Sequence, residues 1–246
     1  SLAEKMQQGA ERFGAKTELA EVLSVDFSGE IKKIESSEGT FKAKTIIIAT
    51  GAVPRELGVP GEKELVGRGV GYCATCDGMF YRNKTVMVIG GGNTAAADAM
   101  TLSRICKKVI LVHRRDSLRA TKIYHKQLEE TPNIEFYWNT TVSEFLYDKK
   151  LTGAKLHNVK TGEDTEIPVD GAFISIGRKP SSELFEGILA MDEAGYIIAD
   201  ESTRTNIPGV FAIGDVRTKA LRQVVTAVAD GATASHYIEE YLAHQM

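Results

Sequence analysis

Two of the chain's three cysteines, Cys73 and Cys76, stand in the stretch "YCATCDG". A structural zinc site needs four ligands, and one C-x-x-C pair supplies only two. The chain has no second cysteine pair, and its five histidines show no ligand-like pairing, so we predict no metal site. Two thiols buried in a core remain an alternative, although the polar residues between and after them are not typical of a core element. Because thiolate attack and release can occur within one small ring, the spacing favours a redox-active pair.

Two residues near this pair complete the interpretation. Asp77 directly follows Cys76, where a carboxylate is positioned to move protons as the pair opens and closes. The third cysteine, Cys106, lies in the helical pattern "TLSRICKK" and is interpreted as structural. We therefore predict that Cys73 and Cys76 form a disulfide under oxidising conditions and that Cys106 is structural.

A second chemical motif is the turn from Gly90 to Ala95, which reads G-x-G-x-x-A between a predicted strand and a predicted helix. In such a turn Gly90 permits the tight bend, Gly92 lets the backbone approach a pyrophosphate, and Ala95 keeps the helix close to the strand. The helix that starts at Asn93 and Thr94 presents its N-terminus to the anion. A plain glycine turn is the alternative, but the strand–turn–helix–strand context favours dinucleotide binding.

The end of the following strand distinguishes between the two nicotinamide cofactors. An NAD site usually has an acidic residue about 20 residues after the glycine turn, for the ribose hydroxyls. This chain has His113, Arg114 and Arg115 there, followed by Arg119. Guanidinium groups present paired donors that suit a phosphate, so the cluster favours the 2′-phosphate of NADP over a merely solvated basic patch.

Around these motifs the hydrophobic pattern predicts an α/β fold. Residues 84–115 carry the clearest βαβ unit, and the glycine- and proline-rich stretch from Gly51 to Gly69 is interpreted as a linker or domain crossover. The other predicted elements, in chain order, are a helix over 2–13, antiparallel strands over 17–43, a buried strand in "KTIIIATG", a charged helix over 120–130, alternating strands over 134–159, buried strands in "VDGAFISIG" and "GVFAIGDV", and a long C-terminal helix with small residues on its packed face.

Composition excludes several classes of function. The chain has 246 residues, 43% of them hydrophobic and 26% charged, as in ordinary soluble globular proteins. A formal net charge of −3 gives no electrostatic reason to expect nucleic acid. No apolar run approaches the roughly 20 residues that cross a bilayer, and the first residues lack a signal-peptide core. Three cysteines are too few for a disulfide framework, so we expect a cytoplasmic location.

Taken together, "YCATCDG", "VIGGGNTAAADA", "HRRDSLRA", "IIIATGAVPR" and "GVFAIGDV" resemble, in this order, low-molecular-weight bacterial-type thioredoxin reductases over essentially the whole chain. The resemblance implies a two-domain flavoprotein disulfide reductase that uses FAD and NADPH, acts on thioredoxin or a thioredoxin-like protein, and forms a homodimer. It implies an FAD-binding domain split between residues 1–54 and 178–246, and an inserted NADPH-binding domain over residues 55–177 that carries the redox pair. The crossovers near Pro54 and Pro180 would be hinges between two domain orientations.

The resemblance also assigns roles to single residues. Cys73 resembles the thiol that attacks the thioredoxin disulfide, Cys76 resembles the partner that exchanges electrons with the flavin, and Asp77 resembles the acid–base residue. Residues that resemble flavin contacts are Thr50 and Gly51 in the loop lining the flavin, Asp215 at the ribityl chain, and Arg222 and Gln223 near the isoalloxazine ring.

Two features depart from the family pattern. Relatives open with a glycine-rich βαβ unit for the ADP half of FAD, and the present sequence does not contain it, so we expect weak FAD retention and little activity from this chain as given. The nucleotide helix reads Ala96-Ala97-Asp98 where the family usually has glutamates, which bears on contacts to the nicotinamide side.

Three other functions compete with this one. A flavoprotein reductase of a peroxiredoxin system also carries C-x-x-C. A related branch takes electrons from ferredoxin, but the arginine cluster argues against it. A nucleotide-binding module without turnover is the alternative from a different class.

Overall fold

The computed structural model describes residues 1–245, which divide by their contacts into two compact units. The inner unit is the continuous segment Val53–Lys179. The outer unit combines Ser1–Ala52 with the described residues from Pro180 onwards. The divisions therefore fall after residues 52 and 179, whereas the family resemblance implied divisions after 54 and 177. The assignment of one unit to NADPH and the other to FAD stays a prediction.

Five α-helices and fifteen strands are found in the described residues. The helices are α1 (Leu2–Arg12), α2 (Ala74–Asp77), α3 (Asn93–Ser103), α4 (Lys122–Glu130) and α5 (Val224–Ala243). The strands are β1 (Val22–Asp26), β2 (Lys32–Ser36), β3 (Gly39–Ala43), β4 (Ile46–Ile48), β5 (Ala52–Pro54), β6 (Val70–Gly71), β7 (Thr85–Ile89), β8 (Lys108–His113), β9 (Ile134–Trp138), β10 (Thr140–Tyr147), β11 (Leu151–Asn158), β12 (Asp164–Pro168), β13 (Gly171–Ile174), β14 (Arg178–Pro180) and β15 (Val210–Ala212).

The inner unit is built on a five-stranded parallel sheet in the order β6-β13-β7-β8-β9. The strands β7 and β8 with α3 between them form the predicted βαβ unit. Both faces of this sheet are covered, because Val86 and Val88 pack with α3 while Met87 and Ile89 pack with the antiparallel sheet β10-β11-β12. This two-sided burial explains the nearly continuous apolar runs of the parallel strands.

The outer unit contains the antiparallel sheet β1-β2-β3 and the parallel pair β15-β4. The helix α5 follows β15 in the chain. The predicted strands and terminal helices are therefore confirmed as elements. One detail is wrong, since the strand in "KTIIIATG" is buried only at Ile48, and Ile47 is 41% exposed. On α5 the buried positions are Ala234 and a charged residue, Asp230, so small residues alone do not form its packed face.

The stretch between Gly51 and Gly69 is more than a linker. It contains β5, which pairs with β14, and a 3-10 turn at Lys63–Leu65. Leu65 and Glu62 are each 1% exposed. Among residues 1–245 there is no helix with the length and apolar character required to traverse a bilayer.

Candidate active site

The redox pair lies at the start of the short helix α2 in the inner unit. Cys73 is the N-cap of this helix, and its Sγ accepts a hydrogen bond from the Cys76 amide at 3.1 Å. The two cysteines form a disulfide with a Cα–Cα distance of 5.2 Å, as predicted. Ala74 is buried against the core and fixes the helix, whereas Cys73 is half-buried and Cys76 is exposed. The disulfide is therefore anchored by its helix and open to reagents. Cys106 is a buried free thiol, in keeping with the predicted structural role.

Asp77 is half-buried at the end of the same helix. A Cβ atom placed on Gly71 would lie 3.4 Å from its Oδ2, so the carboxylate lies close to the end of β6. Burial, followed by the charge of Asp77, raises the pKa of Tyr81. The Tyr81 ring in turn packs edge-on against Phe173, with centroids 5.4 Å apart. The Asp77 carboxylate therefore directly follows the redox pair in the chain, as a proton carrier must, and it is partly shielded from water.

The glycine turn after β7 is constrained at two of its three glycines. Gly90 has φ +151°, and a Cβ there would overlap the Ser175 carbonyl. A Cβ on Gly91 would overlap the His113 imidazole. Gly92 is the N-cap of α3 and has open space where its Cβ would be. Sequence reasoning identified Gly90 and Gly92 but missed Gly91, because its neighbour comes from a different strand.

This turn borders a cavity of about 580 Å³ within the inner unit. Of the predicted nucleotide residues, six line it: Gly90, Gly92, Thr94, His113, Arg114 and Arg119. Sequence reasoning did not identify the remaining lining residues, which are Glu56, Leu57, Val59, Ile89, Gly91, Val112, Thr140, Thr141, Val142, Ser175, Ile176 and Gly177.

Three predicted nucleotide residues are not among those that line the cavity. Ala95 is fully buried in the core beneath α3. Asn93 accepts a hydrogen bond from the Thr121 amide through its Oδ1 at 2.8 Å and so fixes the segment before α4. Arg115 is exposed, and its carbonyl accepts a hydrogen bond from the Asn139 amide at 3.0 Å. Whether these three contact a nucleotide stays a prediction.

The electrostatics of the cavity favour an anion. The Arg119 amide donates to the Gly91 carbonyl at 2.7 Å, which holds this arginine beside the glycine turn. His113 is only 5% exposed, and its Nε2 has no hydrogen-bond partner in the described part of the chain. Burial, and then the charges of Arg119, Arg114 and Arg115, lower the pKa of His113. The arginines beside a glycine turn that no side chain fills fit a phosphate group.

A half-buried acid lies near the cavity on α3. Asp98 accepts a hydrogen bond from the Ser175 hydroxyl at 2.6 Å, and Ser175 lines the cavity. Burial raises the pKa of Asp98 despite this hydrogen bond. One carboxylate of the nucleotide helix is therefore retained, and it is held against the strand end that closes the cavity.

The predicted flavin residues of the outer unit gather at one edge of its parallel sheet. Thr50 and Gly51 follow β4 and Asp215 follows β15, and since these strands are parallel neighbours, their carboxyl ends share an edge. Arg222 Nε donates to the Asp215 carbonyl at 3.4 Å, and its guanidinium stacks 3.9 Å from the Tyr196 ring centroid.

The start of α5 joins the same edge. Gln223 is its N-cap and forms a capping box with Thr226. A 20-residue helix with its N-terminus beside Asp215 and Arg222 gives a polar edge with a positive end, which fits the ring and ribityl side of a flavin.

Sequence reasoning missed a buried charge cluster that holds this edge in place. Asp230 on α5 accepts hydrogen bonds from the Gly214 amide at 2.8 Å, from Arg217 at 2.8 and 2.9 Å, and from Lys219 at 2.8 Å. Burial opposes ionisation, but these donors outweigh it and lower the pKa of Asp230 to about 2. The cluster fixes Gly214, the residue before Asp215. The only sequence signal was an acid inside an otherwise small-residue helix face.

Comparison with known proteins agrees with this arrangement. Residues 3–231 match the family model described as pyridine nucleotide-disulphide oxidoreductase. A thioredoxin reductase of Streptomyces coelicolor is 48% identical over 244 residues, covering 98% of this chain and 76% of the relative. One of Peptoclostridium acidaminophilum is 46% identical over 248 residues, covering 98% of this chain and 79% of the relative. The crystal structure of a thioredoxin reductase from Streptococcus pyogenes superposes with a TM-score of 0.92 at 41% identity, covering 99% of this chain and 80% of that one.

Proposed function

The chain belongs to the pyridine nucleotide-disulphide oxidoreductases, and within them to the bacterial-type thioredoxin reductases, and from that membership we propose how its residues divide the reaction. We propose that it uses NADPH, through FAD, to reduce the disulfide of thioredoxin by way of Cys73 and Cys76. The observation that carries the proposal is an accessible disulfide in the same compact unit as a cavity lined by a glycine turn and two arginines.

The nucleotide would be held by the glycine turn and by the cationic end of β8. The amides at the start of α3 would face the pyrophosphate, for which Gly92 leaves room. Arg114 and Arg119 would receive the 2′-phosphate that distinguishes NADPH from NADH, and the bound phosphate would favour the protonated form of His113, whose Nε2 would then donate to it. Arg115 would add to the local positive charge.

The edge formed by Thr50, Gly51, Asp215, Arg222 and Gln223 would hold the ring and ribityl side of FAD. The chemistry that a bound flavin would supply is acceptance of a hydride from NADPH and transfer of two electrons to the disulfide. The protein's own step is the reduction of the Cys73–Cys76 disulfide to two thiols, which consumes two electrons and two protons. Asp77 would hold and pass a proton beside Cys76 during this step.

Electrons then leave by thiol–disulfide exchange. The Cys73 thiolate attacks one sulfur of the thioredoxin disulfide and releases the other as a thiolate. Cys76 attacks the resulting mixed disulfide, which frees dithiol thioredoxin and restores the Cys73–Cys76 bond. Both single cysteine variants are informative, because Cys76 is the more exposed residue whereas the family resemblance assigns the attack to Cys73.

A protein substrate is supported by the surface next to the disulfide. Met79 and Phe80, three and four residues after Cys76, are 61% and 75% exposed. Large apolar side chains in such positions are typical of a protein-contact surface. A homodimer and a cytoplasmic location complete the proposal, the first from the family resemblance and the second from the low cysteine content.

The test is NADPH-dependent reduction of thioredoxin with FAD added in excess. We expect little turnover from the chain as given. Once the glycine-rich βαβ unit of the relatives is joined to it, we expect activity with NADPH, much less with NADH, and none from Cys73→Ser or Cys76→Ser. Cys106→Ser serves as the matched control and should retain activity. When a single-cysteine thioredoxin carries its thiol as a mixed disulfide with thionitrobenzoate, Cys73 in Cys76→Ser should attack it, release thionitrobenzoate and leave a trapped protein–protein disulfide, and Cys73→Ser should not. Full activity in Cys73→Ser, or reduction of a peroxiredoxin-system disulfide in preference to thioredoxin, would contradict the proposal.

A further inference from the structure

Glu62 is a buried carboxylate in the inner unit with no part in the proposed reaction. It is 1% exposed and lies just before the 3-10 turn at Lys63–Leu65. Three neutral donors reach it: the Leu57 amide at 3.0 Å, the Gly58 amide at 2.7 Å and the Tyr72 hydroxyl at 2.8 Å. Burying a carboxylate is costly unless such hydrogen bonds compensate, so the position of each donor is tied to the others.

On one side Glu62 organises a wall of the nucleotide cavity. Leu57 and Val59 line that cavity, and the amide of Leu57 points to the carboxylate. The loop bends at Gly58 and Gly61, which both have positive φ, at +75° and +82°. Glycines in this region permit the path of the loop but do not enforce it. The Phe145 amide holds the Pro60 carbonyl at 3.0 Å, and the carboxylate fixes the segment before it, at Leu57 and Gly58.

On the other side Glu62 holds the residue that precedes the redox pair. Tyr72 links β6 to Cys73, which caps α2 and forms one half of the disulfide. Burial, and then the hydrogen bond and charge of Glu62, raise the pKa of Tyr72, so the phenol remains a donor at neutral pH. Opening the disulfide removes the covalent restraint on Cys73, one residue from this fixed phenol.

We propose that Glu62 is a positioning residue that couples nucleotide binding in the cavity to the redox state of the disulfide through Tyr72. The inference rests on the proposed nucleotide function of the cavity and goes beyond it. Because coupling between two sites is reciprocal, nucleotide must shift the disulfide equilibrium by the same factor by which reduction changes nucleotide affinity. Coupling free energies between sites typically correspond to factors of about five or more.

The experiment measures the disulfide equilibrium with NADP⁺ as the probe. Oxidised protein is equilibrated with mixtures of dithiothreitol and its cyclic disulfide, so that each dithiol gives two electrons and two protons to Cys73–Cys76. Free thiols are then alkylated and counted by mass spectrometry, with and without saturating NADP⁺, in the absence of thioredoxin. Calorimetry gives the NADP⁺ affinity of the oxidised and reduced forms.

We expect saturating NADP⁺ to shift the wild-type equilibrium constant by about fivefold or more, which is about 20 mV for a two-electron couple. In Tyr72→Phe, which leaves both amide bonds to Glu62 in place, the shift should fall below about twofold while NADP⁺ still binds. Tyr137→Phe is the matched control, a half-buried tyrosine of the same unit, and should behave as wild type. Glu62→Gln, of equal size, should lose the shift and weaken NADP⁺ binding.

Two outcomes would overturn the proposal while leaving the nucleotide assignment intact. One is NADP⁺ binding to the wild type with no shift of the disulfide equilibrium. The other is an undiminished shift in Tyr72→Phe. The calorimetric comparison of oxidised and reduced wild type needs no variant, so a folding defect in a variant does not block the test. Absence of NADP⁺ binding would overturn the nucleotide assignment and this coupling with it.

Discussion

The arginine cluster after β8 yields a prediction that separates its three members. Arg114 and Arg119 line the cavity, and Arg119 is held at the glycine turn by its amide bond to Gly91. Arg115 is exposed and is not among the lining residues of the described chain. Arg114→Ala and Arg119→Ala should therefore weaken NADPH binding markedly, whereas Arg115→Ala should weaken it little.

The expected magnitudes follow from the exposure of these side chains. A hydrogen bond to a charged group contributes about 1.5–3 kcal/mol, and both cavity arginines are solvent-exposed, so the lower end applies. About 1.5 kcal/mol corresponds to about a tenfold loss of affinity for each variant. The exposed Arg115 acts only through a screened charge, worth less than about 1 kcal/mol. NADH lacks the 2′-phosphate, so its affinity should change by less than about twofold in all three variants.

Calorimetric titration with NADP⁺ and NAD⁺ at low and at physiological salt measures these differences. Arg104→Ala is the matched control, an exposed arginine at the end of α3 in the same unit. The effect of Arg115→Ala should shrink as salt rises, because surface charges are screened over about 8–10 Å. The reasoning is refuted if Arg115→Ala costs as much as Arg114→Ala, or if NAD⁺ and NADP⁺ lose affinity equally.

Three further predictions concern Asp230, His113 and Gly91. Asp230→Asn should lower the free energy of unfolding by about 3–5 kcal/mol in urea titrations at neutral pH, because Arg217 and Lys219 lose their buried counter-ion; a loss under 1 kcal/mol would contradict the role of the cluster. The pKa of Asp230 is lowered on folding, so its contribution is full above the unfolded pKa near 4 and should disappear as pH falls towards 2. His113 also costs stability on acidification, but at higher pH: its lowered pKa makes folding favour the neutral ring, so thermal stability should fall as pH drops below about 6.5 and less steeply in His113→Phe; parallel pH profiles would refute this. Gly91→Ala should abolish measurable NADP⁺ binding in calorimetry, because a Cβ there would overlap the His113 imidazole, whereas Gly92→Ala should fold normally because its Cβ meets open space; wild-type affinity in Gly91→Ala would show that the turn can adjust.

The chemistry carried by neighbouring residues was predictable from the sequence. The disulfide depends on two cysteines separated by two residues, and the βαβ unit depends on apolar runs on either side of a glycine turn. Both follow from local geometry, because three-residue spacing brings two side chains onto one helical turn and parallel strands need a helix between them. The helix α1, the three antiparallel strands β1–β3 and α5 were predictable for the same reason.

What only the tertiary structure decided is which distant residues support these motifs. Glu62 stood in a stretch that looked like a linker, and its acceptor role became visible only when β6 brought Tyr72 to it. Position 91 requires glycine because the imidazole of His113, from the next strand, occupies the space that a side chain would need. Asp230 is ionised because a turn 13 residues earlier in the chain brings Arg217 to it. Hydrophobic periodicity records which face of an element is buried, but it does not record the partner of a buried polar atom, since that partner is fixed by the packing of elements far apart in sequence.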